Sequence, residues 1–167
     1  MEIFNSAQIE IVKNAVLMAE ELVSNFYKMS NTQWLHQKYD VKTLSDLSPE
    51  EVVKGPFAQI IRYKGKHKNT TLESSTYDFY KICLQDHSIL AVLKNRPEVM
   101  LFPFSIYIGT HELIHIVRFT KFLQSFEATQ EEKMVEESRV HQETQDILRS
   151  LNISGMPIVF KYYKKWF

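Results

Sequence analysis

A chain of 167 residues is long enough to bury a core as one domain, taken as 1–167. Twenty basic residues balance twenty acidic ones, so no net field gathers nucleic acid or an anionic membrane surface. The single Cys83 excludes an internal disulfide, and the longest apolar run, Val99 to Gly109, is too short to span a bilayer. With no basic-then-apolar leader in Met1–Ser6, the expectation is a cytoplasmic protein without nucleic-acid or membrane partners.

Taken in order, residues 6 to 29 predict a helix, because Ile9, Val12, Val16, Ala19, Val23 and Phe26 recur at steps of three and four. Asn5 or Ser6 can cap it. Glu20 and Glu21 flank the apolar stripe and read as solvated, with Glu20 placed to lean into a buried site. Residues 30 to 47 are polar and aperiodic, anchored by Trp34, Leu35 and Tyr39. Ser48-Pro49-Glu50-Glu51 carries a capping box for a short helix, which Gly55-Pro56 ends. Phe57 to Tyr63 is ambiguous between strand and helix. A basic loop from Lys64 to Asn69 comes next and runs on in polar residues to Ser75; it reads as solvated.

Tyr77 to Leu84 favours β structure, and Ile89 to Leu93 is a compact apolar run beyond the turn-like Gln85-Asp86-His87-Ser88. A β-hairpin over about 77–93 is predicted, with His87 exposed at its tip; the alternative is one continuous helix. Asn95-Arg96-Pro97-Glu98 reads as a helix start, and Pro103 should kink or divide the apolar segment from Val99 to Phe126. Thr129-Gln130-Glu131-Glu132 opens the last long helix, to about Leu151. Its stripe of Met134, Glu137, His141, Thr144, Leu148 and Leu151 is apolar outside and polar in the middle, while Glu136 lies off it and looks solvated. Gly155 and Pro157 end that helix, leaving an aromatic and basic tail to Phe167 that is expected to pack on the body. The fold class is α+β: one mostly helical domain with a small antiparallel sheet.

The most informative stretch is His111-Glu112-Leu113-Ile114-His115. On a helix the two imidazoles sit one turn apart on one face, spaced to grip a single Zn²⁺, and Glu112 is placed to take a proton from water bound there. Chance would produce this pattern in about 2% of chains of this composition. Phe104, Ile108, His111, His115, Arg118 and Phe122 share one rhythm, so the histidines occupy inward positions. Inward polar groups are costly unless hydrogen-bonded or bound to a cation. The two interrupted stripes would meet if their helices packed antiparallel across residues 125–128.

Residues 108 to 141 resemble the zincin metallopeptidases of the type whose third ligand is a glutamate on a following helix. Glu137, 22 residues after His115, matches that place. The resemblance implies one zinc on His111, His115 and Glu137, Glu112 as general base, and a peptide or protein substrate laid along an edge strand that the 77–93 hairpin would supply. Some members carry an acidic residue one turn after the glutamate; here it is His141, a candidate fourth ligand, substitute ligand or outer donor. Arg118, Tyr107, His87 and the tail tyrosines are candidates to stabilise an oxyanion. Alternative readings are a ferritin-like di-iron bundle using Glu112, His115, Glu20 and Glu137, a DinB-like three-histidine metal bundle of His111, His115 and His141, and an interaction module with a structural metal.

Overall fold

The apolar stretch after residue 100 becomes helix α3, Leu101–Thr120, around which the other elements pack. Pro103 falls in its first turn, where a missing N–H costs no hydrogen bond, so it neither kinks nor divides the helix. Pro97 lies in a turn ahead of it rather than starting a helix. The computed structural model describes residues 1–30, 38–66, 76–121 and 123–165. Trp34, Leu35, His67, Phe122, most of the basic loop with its polar continuation, and the terminal Trp166 and Phe167 lie outside the described residues.

Helix α1, Ser6–Phe26, opens on a full capping box between Asn5 and Gln8. It buries Val12, Ala15, Val16, Ala19 and Val23, while Ile9 and Phe26 at the ends of the expected stripe stay exposed. The helices α1 and α3 approach closely at Gly109, where an added methyl would stand 3.2 Å from Ala19 Cβ.

Three strands form a mixed sheet: β1 Tyr39–Lys42, β2 Ala58–Lys66 and β3 Thr76–Leu84, in the order β1-β3-β2. The strand β2 runs antiparallel to β3 with Ile60 opposite Ile82, whereas β1 runs parallel with Tyr39 opposite Tyr80. The sheet is therefore not purely antiparallel. Tyr80, Ile82 and Leu84 of the central strand enter the core, where Tyr80 stacks on Phe119 of α3.

The hairpin expected over 77–93 is only half right, because β3 is followed by helix α2, Asp86–Asn95, and not by a turn and a strand. The buried Asp86 carboxylate accepts the main-chain N–H groups of Phe4 and Leu44, each at 2.9 Å, and thereby ties two distant segments to the start of α2. A short apolar run such as Ile89 to Leu93 does not by itself distinguish strand from buried helix. The true hairpin pairs β3 with β2, the stretch whose sequence was ambiguous.

Helix α4, Gln130–Arg149, starts on the Thr129 side chain, which accepts from Glu132 N at 3.2 Å. Helix α5, Met156–Tyr163, begins at Gly155, whose φ of 82° suits glycine, with Pro157 in the first turn. Those two residues start a helix rather than merely ending one. The tail packs on the body as expected, with Tyr163 stacked on Tyr107 at 4.0 Å between ring centroids. The result is a mostly helical α+β domain, and among the described residues no helix is long and apolar enough to cross a membrane.

Candidate metal centre

Side-chain pairs between α3 and α4 run in opposite order along the two helices: Arg118 with Glu136, His115 with Glu137, Tyr107 with His141. The helices are therefore antiparallel, and the face carrying His111 and His115 meets the face carrying Glu137 and His141. One carboxylate stands at the centre. Glu137 Oε1 lies 2.7 Å from His111 Nε2 and 3.5 Å from His141 Nε2, and its Oε2 lies 3.0 Å from His115 Nε2. The tightest group is His111, Glu137 and His141, whose ligand atoms all fall within 4.8 Å of one another. His115 stands outside that group and approaches the second carboxylate oxygen. All three rings are buried.

The opposite nitrogen of each ring is held from outside. Glu112 Oε1 lies 2.9 Å from His111 Nδ1, Gln124 Oε1 lies 3.1 Å from His115 Nδ1, and the Tyr107 hydroxyl lies 2.8 Å from His141 Nδ1. Glu112 only accepts, so His111 carries a proton on Nδ1, and Gln124 as oriented here asks the same of His115. In the neutral rings the Nε2 lone pairs then point at a carboxylate that also only accepts. The imidazoles are buried while the Glu137 side chain is 41% exposed, so solvent reaches the carboxylate, and a proton or a metal ion between the facing acceptors would satisfy the buried Nε2 atoms.

The electrostatics reflect that arrangement. Burial disfavours charge on His111, yet the Glu112 and Glu137 carboxylates push its pKa up to about 10. Burial likewise opposes charge on Glu137, but the three imidazoles that face it, His111 first, hold its carboxyl well below the usual carboxylate range. His141 moves down, through burial first and with the neighbouring His111 adding to it. His111 Nε2 is buried with no aligned hydrogen-bond partner among the described residues, although Glu137 Oε1 is so close. The carboxylate–imidazole separations are 2.7 to 3.5 Å, beside about 3.3 Å between donors of a tetrahedral zinc, while the ligand atoms of the group as a whole lie within 4.8 Å of one another. Imidazole and carboxylate donors in this combination suit a divalent transition metal, zinc, copper, iron and nickel alike.

Beside the cluster opens a cavity of about 290 Å³ whose walls include Phe57, Ile108, Glu112, Glu137, His141 and Tyr163. Glu112 thus reaches both His111 and the cavity. Tyr163 also lines it, and burial raises its pKa well above the ordinary value, so its hydroxyl keeps its proton. The other oxyanion candidates are placed differently. Arg118 is committed to Glu136, Tyr107 to His141, and half-buried His87 lies on α2 with Nε2 3.1 Å from Val53 O rather than exposed at a loop tip.

Three further expectations are corrected. Glu20 is buried and accepts from the Tyr39 hydroxyl at 3.1 Å, lining a separate groove between α1 and β1, so it does not join the histidines as the di-iron alternative requires. Glu136 is not solvated but locked to Arg118, and Met134 is exposed rather than inward. Gln124 was not foreseen, because nothing in a connecting segment marks an outer partner. Tyr107 was visible in principle, one turn before His111 on the same face. No family model, curated protein or solved structure matches this chain.

Proposed function

We propose that the protein is a zinc-dependent hydrolase acting on amide bonds, a metallopeptidase with one ion on His111, His115 and Glu137 and with His141 as a further donor. The observation that carries the reading is the convergence of Nε2 atoms with fixed tautomers upon one carboxylate, at the edge of a cavity that also holds Glu112. A zinc ion held there would acidify water and polarise an amide carbonyl. Glu112 accepts the proton of the attacking water and delivers it to the leaving nitrogen, and the Tyr163 hydroxyl donates to the oxygen that gains charge. An extended peptide has a place to pair, since the edge strand β2 begins at Ala58 on the cavity wall. That edge belongs to β2 and not to a 77–93 hairpin.

A second reading has its own observation. Glu112 is already bound to His111 Nδ1, the place of an orienting carboxylate, which gives a three-histidine metal bundle or structural-metal module the role for Glu112 that it otherwise lacks. The variant Glu112→Gln separates the two, with zinc content measured beside turnover of a quenched fluorescent peptide mixture. In the hydrolase the variant keeps one zinc per chain and loses about 10²- to 10⁴-fold in turnover. Wild type without turnover, together with a 10- to 100-fold loss of zinc affinity in the variant, would select the second reading.

A further inference from the structure

Arg118 is the buried cation of the α3–α4 interface, only 6% exposed, and it does not line the cavity. Its guanidinium grips Glu136 with two bonds, Nε to Oε2 at 2.7 Å and Nη2 to Oε1 at 2.6 Å. Nη1 lies 3.9 Å from Glu143, which accepts the hydroxyl of Tyr27, the residue just past α1. Nη2 also reaches Leu123 O at 3.4 Å, and the Arg118 carbonyl accepts the N–H groups of Leu123 and Gln124 at 2.8 and 3.3 Å. One residue thus fastens both α4 and the turn that leaves α3.

Both attachments end next to a metal donor. Glu136 precedes Glu137, and consecutive helical residues point about 100° apart, so a two-pronged grip on the first sets the direction of the second. Gln124, carried by the turn, holds His115 Nδ1 and with it the tautomer that turns Nε2 inward. We infer that Arg118 is a positioning residue for the metal centre, orienting Glu137 through Glu136 and His115 through the turn that bears Gln124. This rests on the metal reading above.

The test uses the full chain in four forms: wild type, Arg118→Lys, Glu136→Gln and Glu143→Gln. Zinc affinity is measured by competition with a chelating dye, alongside helical content and the Tm of the metal-free protein. Lysine keeps the charge and cannot make the fork, so Arg118→Lys retains native helicity and one zinc per chain but binds it about 10- to 100-fold more weakly. Glu136→Gln gives the same loss and serves where the lysine variant fails to fold. Glu143→Gln, whose carboxylate touches Arg118 and Tyr27 and holds neither Glu136 nor the turn, lowers the metal-free Tm and leaves zinc affinity within about twofold of wild type. Arg118→Lys and Glu136→Gln that lower only the Tm, with zinc affinity unchanged, would reduce Arg118 to a fold-stabilising ion pair and overturn the inference. A wild type that binds no zinc overturns the metal reading and this inference together. The two failures are distinct because the first needs a wild type that binds.

Discussion

Two carboxylates in this molecule are ringed by polar partners, Glu51 buried and Glu137 with its side chain 41% exposed, and their surroundings differ in kind. Glu51, 3% exposed, accepts from Lys81 Nζ at 2.8 Å, from the Tyr63 hydroxyl at 2.8 Å and from Ser48 N at 2.9 Å. Every partner is a donor, one of them cationic, so the cluster is complete without any further ion. Glu137 instead meets three imidazoles, two of which have their proton fixed on the far nitrogen by Glu112 and Gln124. The first cluster is a closed structural pair, whereas the second takes a proton or a metal ion between its facing acceptors. Polarity inside a core therefore says little until each proton has been placed.

The largest effect expected from that contrast is on heating. Zinc at about 1,000 times its Kd should stabilise the native state by about 4 kcal/mol, which raises Tm by roughly 10 °C for a chain of this size. His115→Ala should erase the rise in differential scanning calorimetry, and Glu51→Gln should retain it. An equal rise in both variants would mean that zinc binds elsewhere. A smaller effect tests the outer partners: Tyr107→Phe keeps the ring stacked on Tyr163 but takes the hydroxyl away from His141 Nδ1, and zinc affinity should fall about tenfold by dye competition.

The smallest effect concerns acid. The hydrogen bond from Lys81, with those from Ser48 and Tyr63, lowers the Glu51 pKa from 4.5 to about 2. A depressed carboxyl stabilises the fold above its unfolded value and loses that contribution as pH falls through the folded one. The window of loss is therefore about pH 4.5 down to about 2. Urea midpoints of the metal-free protein across that range should drop less steeply in Glu51→Gln than in wild type. Parallel curves would show that Glu51 is as free in the native state as in the unfolded chain.

Local chemistry written along the chain determined much of this protein. The 3.6-residue period marked α1, α3 and α4, the Asn5, Ser48 and Thr129 caps marked their starts or that of a short turn, and the four-residue spacings placed His111 with His115 and Glu137 with His141. Those features act within a turn or two, so neighbouring residues suffice to specify them. Tertiary structure decided the rest. Only distant hydrogen bonds at Asp86 turn the segment after β3 into a helix, only strand pairing places β1 parallel to β3, and only the antiparallel docking of α4 brings Glu136 onto Arg118. Such choices depend on groups far apart in sequence, and no local pattern encodes which of them will meet.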